Sequence, residues 1–303
     1  MNLFLFILIM LFWSGSFIAI KLSLDGFEPM MAATLRIFLA AVFLALYRLC
    51  KKVPFPRERG LVFKVAVIGL FSFAMPWALL FWGEQFVPPA IAAILNSTTP
   101  IFVLMFSWFF LPQDRPTWVG AFGVLLGFVG IVMVFWPEIR SENFVTSTVM
   151  IQGMLAVLGM AVCYGIGAVG IRKVCKGVDL PWVVTIQCLF SSVALFVFSQ
   201  VFGFETGWRE IHQVPIKPWI AILYLAICST AMANVFFYRL IEQWGALKAS
   251  AVTYAIPFVA ILIDMVFLST RPTFLQVLGA VFIVSGLAFI HVLRKKPLRG
   301  SHR

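Results

Sequence analysis

Residues 117–136 read TWVGAFGVLLGFVGIVMVFW, a run without a single charged side chain. A helix of roughly 20 residues is needed to cross the hydrocarbon core of a bilayer. Continuous apolar runs favour helices over barrel strands, because the side chains of a barrel strand alternate between lipid and lumen. This segment therefore predicts a transmembrane helix.

Nine more runs of this kind predict an all-α polytopic membrane protein with ten transmembrane helices. The predicted spans are 2–20, 29–48, 63–83, 88–111, 117–136, 149–171, 181–203, 218–238, 246–269 and 274–293. The loops are too short to hold a soluble domain. Composition agrees, since 62% of the 303 residues are hydrophobic and 12% are charged, whereas soluble proteins are about half apolar and about a quarter charged.

Lys and Arg are distributed unevenly between the two sides of the predicted membrane. Most of the 23 follow even-numbered spans, including the basic runs at 51–59 and 294–296. Because positive residues concentrate in cytoplasmic loops, both termini are predicted to be cytoplasmic, in the inner (plasma) membrane. The net charge of +11 indicates contact with anionic lipid rather than nucleic acid. The chain begins without a basic leader, so its first run is expected to remain as an uncleaved span.

The two halves of the chain contain similar motifs in the same order. The matched pairs are Trp13 through Lys21 with Tyr164 through Arg172, 84–86 with 242–244, Pro100 with Pro257, Phe110 with Phe267, Arg115 with Arg271, Gly123 with Gly279, and Gly130 with Gly286. Each half has five spans, an odd number, so the second half enters the membrane from the opposite side. Two inverted five-helix repeats are thus predicted at 1–140 and 147–293, followed by a basic tail at 294–303.

The residues that carry these matches resemble a known family. The segment from Trp13 to Lys21 (WSGSFIAIK), Leu35 to Phe38 (LRIF), and the run from Ala90 through Pro100 to a glycine-rich helix are similar to an EamA-domain protein of the drug/metabolite transporter superfamily. The resemblance implies a ten-span carrier, and many such carriers export amino acids or other metabolites. It departs at one position: Asp114 precedes Arg115 in the first copy, but Thr270 precedes Arg271 in the second.

Polar and aromatic residues near the middle of the spans form the candidate substrate site, because small-ligand sites combine aromatic walls with a few hydrogen-bonding groups. The alternative role for each is packing or hydrogen bonding between helices. The candidate binding residues are Trp13, Ser16, Trp77, Phe81, Asn96, Thr99, Tyr164, Asn234, Tyr238, Thr253 and Tyr254.

Two charged residues within spans are candidates for gating or coupling, because a charge in the membrane is costly unless it is paired or faces a cavity. Arg36 either holds a substrate carboxylate or gates the outer mouth. Alternatively, it pairs with backbone carbonyls or an acid, or it extends outward to the interface. Asp264 is either a proton-coupling group or a counter-ion. Glu84 and Glu242, at the membrane interfaces, favour structural roles.

Transport of a small solute by alternating access is the predicted function, and export of amino acids or related metabolites is the predicted activity. A channel or a membrane scaffold is the alternative, and a homodimer is one of the assemblies left open. An intramembrane enzyme is disfavoured, because the sequence has neither HExxH nor GxSxG. The five cysteines form no CxxC pair and no metal-ligand spacing, so neither a metal nor another cofactor is expected.

Overall fold

The computed structural model describes residues 2–87, 89–136, 140, 147–201, 213–256 and 273–292. Within these ranges the chain folds into helices and short connections, without strands. The helices are α1 (Asn2–Leu24), α2 (Pro29–Cys50), α3 (Arg59–Gly83), α4 (Pro89–Asn96), α5 (Thr99–Phe110), α6 (Trp118–Val134), α7 (Thr148–Val174), α8 (Leu180–Val201), α9 (Ile216–Trp244), α10 (Ala246–Ser250) and α11 (Phe274–Val292). The all-helical prediction is confirmed for the described residues.

Among the described helices, 7 are long and apolar enough to cross a membrane: α1, α2, α3, α7, α8, α9 and α11. Two more apolar stretches, Ile94–Phe110 and Trp118–Val134, are shorter. The first covers most of the predicted fourth span, which is divided at Ser97 and Thr98 into α4 and α5. The predicted ninth span, 246–269, is described only as far as residue 256. Because 7 of the described helices are long and apolar enough to cross a membrane, the protein is a multi-pass membrane protein.

Contacts between helix ends define the two ends of the bundle. At one end Arg48 forms an ion pair with Asp179, and Lys248 Nζ donates a hydrogen bond to the carbonyl of His291 at 2.9 Å. At the other end the rings of Phe27 and Trp219 lie 4.9 Å apart. We call these the Arg172 end and the Trp219 end, since Arg172 lies in the last turn of α7, close to Asp179.

Helices α3 and α9 each contain a π-helical segment, Leu70–Ala74 and Leu225–Met232. In α3, Pro76 has no N–H to donate to the carbonyl of Ser72, which loosens the helix where the π segment occurs. In α9, the Thr230 hydroxyl donates to the carbonyl of Leu225 at 2.7 Å. Such segments often mark functional sites, and here both lie beside the central cavity.

Helices α6 and α11 pack closely through glycines. A Cβ atom on Gly130 would lie 2.6 Å from the carbonyl oxygen of Gly279, and one on Gly123 would lie 2.8 Å from that of Gly286. The missing side chains allow the two backbones to approach each other, which provides dispersion contacts where lipid removes the hydrophobic driving force.

Candidate functional site

A cavity with a free volume of about 110 Å³ lies inside the bundle. Its walls come from α1 to α5 in the first half of the chain, and from α7, α9, α10 and residues 252–256 in the second. The break between α4 and α5 and both π segments adjoin it. Small-molecule sites have mostly apolar walls with a few polar groups, and the walls of this cavity are of that kind.

Nine of the candidate binding residues and one candidate gating residue line this cavity. They are Trp13, Ser16, Trp77, Asn96, Thr99, Tyr164, Asn234, Tyr238, Thr253 and Arg36. They are far apart in sequence and come from both halves of the chain. The structure brings them together, while their role in binding stays a prediction. Asp264 and Pro257 lie outside the described residues.

Phe81 and Tyr254 do not line the cavity. Phe81 is fully buried in the apolar core. The Tyr254 hydroxyl donates to the carbonyl of Val124 at 2.9 Å, and its ring occupies the space that a side chain at Gly127 would fill. Since neighbouring residues on a helix point in directions about 100° apart, Thr253 faces the cavity while Tyr254 packs against α6.

Most cavity residues that the sequence analysis missed lie three or four positions from a candidate, as residues on one helical face do. These missed residues are Ile20, Phe73, Leu80, Met160, Ala168, Phe237, Ser250 and Ile256. Applying that spacing to each candidate would have found them. Ser72 lines the cavity without that spacing.

Arg36 is buried, with 4% of its surface exposed. Its Nε donates to the Thr230 hydroxyl at 2.9 Å, and its Nη2 donates to the Ser229 hydroxyl at 3.0 Å. The guanidinium carbon lies 3.4 Å from the centre of the Trp77 ring. Within the described ranges no carboxylate lies within 4 Å of it. The guanidinium is therefore in direct contact with neutral dipoles and a π face, and with no carboxylate of the described residues.

The other polar groups of the cavity differ in whether their atoms already have a hydrogen-bond partner. The hydroxyls of Ser16, Thr99 and Thr253 each donate to the backbone carbonyl three residues earlier in the chain. In contrast, Asn96 Oδ1 and Trp77 Nε1 are buried without a hydrogen-bond partner in the part of the chain that the structure describes. Buried polar atoms are normally paired, so Asn96 Oδ1 is available to a ligand or water, while the Trp77 indole lies near the Tyr164 hydroxyl.

Two tyrosines bring phenol groups to the cavity wall. Tyr238 donates from its hydroxyl to Gln187 Oε1 at 2.7 Å, in a buried contact between α9 and α8. Tyr164 contributes its ring from α7, the helix that also carries Arg172. The Asn234 amide donates to the carbonyl of Thr230 at 2.8 Å, next to the hydroxyl that binds Arg36. The site thus combines one cation, few free polar atoms and aromatic walls.

The EamA-like transporter family matches residues 1–136 and 151–292, which is most of the chain. The chain belongs to this family. It is 27% identical over 286 residues to the "Uncharacterized transporter YoaV" of Bacillus subtilis, covering 91% of this chain and 92% of that protein. It is also 27% identical over 254 residues to the "Uncharacterized inner membrane transporter YedA" of Escherichia coli K12, covering 83% of this chain and 78% of that protein.

A solved structure supports the fold of this EamA-like transporter. A protein known by its crystal structure superposes with a TM-score of 0.79 at 22% identity, over 97% of this chain and 98% of that one. At that identity the similarity concerns the fold alone. The family and the relatives indicate a membrane transporter rather than an enzyme, and none of these names specifies a solute.

Proposed function

We propose that this EamA-like transporter is a secondary carrier that exports an amino acid or a related small metabolite by alternating access. The observation that carries the proposal is the buried Arg36 cation in an aromatic cavity, with no carboxylate partner among the described residues. A buried charge is costly, and the carboxylate of a substrate would offset part of that cost. The cavity is built by both halves of the chain, as a carrier with a midplane site requires.

Contacts between the halves support the two inverted repeats at 1–140 and 147–293. Gly123 corresponds in sequence to Gly279, and Gly130 corresponds to Gly286. In the structure, however, Gly123 lies against Gly286, and Gly130 lies against Gly279. A two-fold axis in the membrane plane between α6 and α11 produces this crossed pairing. The π segments of α3 and α9 are counterparts too, and the family matches the chain over two successive stretches of similar length.

The chemistry of the cavity favours an amino acid over a purely apolar solute. Arg36 and Trp77 Nε1 offer donors for a carboxylate, and Asn96 Oδ1 offers an acceptor for an ammonium group. The rings of Trp13 and Tyr164 offer apolar walls for a side chain. A substrate with a carboxylate, an ammonium group and an apolar body would satisfy all of these groups at once.

A carrier fits the cavity better than a channel does. Tyr238 lines the cavity and also a small pocket shared with Arg172 and Glu242, so it lies between the cavity and the Arg172 end. Beneath it, Arg172 binds Asp114 and the end of α9. A pathway interrupted at one end suits alternating access, whereas a channel requires a continuous pore.

Transport by purified protein in liposomes tests the proposal. Labelled amino acids should show saturable uptake and counterflow. For one amino acid with a large apolar side chain, two analogues separate the contacts: the des-amino acid keeps the carboxylate, and the decarboxylated amine keeps the ammonium group. The wild type should prefer the amino acid to both analogues.

Substitutions assign each end of the substrate. Arg36→Gln should abolish the preference of the transporter for the amino acid over the decarboxylated amine. Asn96→Leu should abolish its preference for the amino acid over the des-amino acid. Each loss is expected to be roughly 10-fold or more, as for a charge-assisted hydrogen bond. Arg140→Gln removes an arginine outside the cavity and is the matched control. Conductance that rises linearly with concentration, or no flux with a broad panel of amino acids and metabolites, would refute the carrier.

A further inference from the structure

We infer that Arg172 and Asp114 form a latch that holds the Arg172 end closed, and that their sequence counterparts, Lys21 and Thr270, cannot form the same latch in the opposite state. The resting transporter is therefore closed at the Arg172 end. This inference rests on the alternating access proposed above and adds which of the two states is favoured and why.

Arg172 joins three elements at the end of the bundle. Its Nε donates to Asp114 Oδ2 at 2.5 Å, in the 3₁₀ turn Pro112–Asp114 that follows α5. Its Nη1 donates to the carbonyl of Ile241 at 3.2 Å and to that of Glu242. These carbonyls lie in the last turn of α9, where the helix dipole is negative, and the Ile241 carbonyl also accepts the backbone N–H of Gly245 at 3.0 Å. One guanidinium therefore ties α7 to α9 and to the turn after α5, across the two halves.

The latch lies directly below the floor of the cavity. Arg172, Ile241 and Glu242 line the small pocket that shares Tyr238 with the cavity. Glu242 adds a further link, because its Oε1 accepts a hydrogen bond from the backbone N–H of Gly177 at 3.3 Å. To open this end, α7 and α9 must separate, and that separation breaks the bonds of Arg172.

The counterparts of the latch in the other half differ in charge and shape. Arg172 corresponds to Lys21, and Asp114 corresponds to Thr270. Lysine lacks the planar fork with which arginine binds a carboxylate and carbonyls together, and threonine carries no charge. Lys21 is exposed, and no described residue forms an ion pair or a hydrogen bond with its ammonium group.

The difference between this latch and its counterpart residues determines which of the two states is more populated. In an inverted repeat, the opposite state forms when the two halves exchange conformations, so its latch would use the counterpart residues. Thr270 supplies no carboxylate for that latch, and Lys21 lacks the planar fork of arginine. An isolated exposed ion pair contributes little, but Arg172 adds charge-assisted bonds to two carbonyls, and all of these contacts stabilise only the state closed at the Arg172 end.

Accessibility of a cysteine in the cavity measures this bias without a substrate. Ser250 is buried and lines the cavity on α10. Ser250→Cys is made together with Cys50→Ala, because Cys50 is the exposed cysteine among those described. A membrane-impermeant maleimide is added to right-side-out or to inside-out vesicles, and the parent without Ser250→Cys gives the background. The Arg172 end is the predicted cytoplasmic side.

Arg172→Gln and Asp114→Asn should raise labelling from the cytoplasmic side at least about threefold and lower it from the outer side, as a population shift requires. Lys173→Gln is the matched control, since it removes an exposed neighbouring charge on α7 that forms no described ion pair. Thr270→Asp should also raise cytoplasmic labelling. It supplies the acidic residue with which Lys21 would pair in the opposite state, and that state is open to the cytoplasm.

Each result has one meaning. Labelling of Arg172→Gln and Asp114→Asn at the parent rate on both sides would overturn the latch. An increase on both sides would also overturn it, because release of a latch at one end must raise access from that side and lower access from the other. No change in Thr270→Asp would overturn the asymmetry. If labelling shifts as expected but no metabolite is transported, the latch stands and the proposed function fails. If a metabolite is transported but labelling does not shift, the proposed function stands and the latch fails.

Discussion

The guanidinium carbon of Arg36 lies 3.4 Å from the centre of the Trp77 ring, and both side chains face the same cavity. A desolvated cation over a tryptophan face gains up to about 2 kcal/mol from the ring quadrupole. Trp77 thus stabilises the cation without neutralising it. Arg36 can therefore still attract an anion, whereas a paired carboxylate would have cancelled that attraction.

Replacing Trp77 should weaken binding of a carboxylate-bearing substrate. Trp77→Leu removes the π face, and we expect a loss of roughly 5- to 30-fold in affinity, which corresponds to about 1–2 kcal/mol. Trp77→Phe keeps a weaker face and should lose less. Affinity is measured by concentration-dependent thermal shift or by the Km of uptake. Trp118→Leu, which changes a tryptophan that is 79% exposed, should leave it unchanged, and an equal loss in Trp118→Leu would argue against a specific role for Trp77.

Tyr238→Phe should lower stability, because it removes the hydrogen bond to Gln187 Oε1. Gln187 Nε2 already lacks a partner among the described residues, so its whole amide would be unpaired. The expected cost is about 1–3 kcal/mol, which lowers the melting temperature by roughly 2–4 °C per kcal/mol in a protein of this size. The double variant Tyr238→Phe with Gln187→Leu should recover most of the loss. A double variant whose loss equals the sum of the single losses would mean that the two groups do not interact.

Gly130→Ala should destabilise the protein by about 1–3 kcal/mol through overpacking. Its Cβ would lie 2.6 Å from the carbonyl oxygen of Gly279 and 2.8 Å from the backbone nitrogen of Ile283, and a backbone cannot rotate away as a side chain can. Gly159→Ala is the matched control within α7, since its Cβ would meet only Leu79 Cδ1 at 3.4 Å. Melting curves in detergent compare the two. Equal melting temperatures would show that α6 and α11 separate at little cost.

Stability should depend on the ionisation of Glu84, which directly follows α3 at the Trp219 end. Burial raises the pKa of Glu84 to about 7, although the positive charge of Arg36 opposes the shift. A carboxyl whose pKa is raised by folding favours the folded state while it is protonated. Its contribution to the stability of the folded state is therefore present below pH 4.5, the ordinary pKa, and is lost as the pH rises to about 7.

The melting temperature should accordingly fall between pH 5 and pH 8 more steeply in the wild type than in Glu84→Gln. The glutamine keeps the shape of the side chain but does not titrate. Glu28→Gln, which removes an exposed carboxyl near the same end, serves as the control. Parallel curves for the wild type and Glu84→Gln would show that the carboxyl titrates normally.

Particular residues show where the sequence analysis succeeded. Trp77, Asn96, Tyr164 and Asn234 were proposed for one cavity because small-ligand sites combine aromatic walls with a few hydrogen-bonding groups, and polar groups within a span are costly unless they are paired or face a cavity. The structure brings all four to it. Phe81 and Tyr254 satisfied the same pattern, yet they pack elsewhere. Helical spacing defines a stripe of residues, but the neighbouring helices decide which edge of that stripe faces the cavity.

The sequence by itself determined the class of the molecule. Long uncharged runs require lipid as solvent, a helix is the structure that satisfies the backbone of such a run alone, and the repeated motifs reveal the family. Only the tertiary structure decided which groups meet: Arg36 with Trp77, Ser229 and Thr230, and Arg172 with Asp114. Those partners are far apart in the chain, and their contacts depend on π segments and glycine crossings that fix helix rotation and spacing. Hydrophobic periodicity carries no information about rotation of one helix against another, because lipid-facing and protein-facing sides of a span are both apolar.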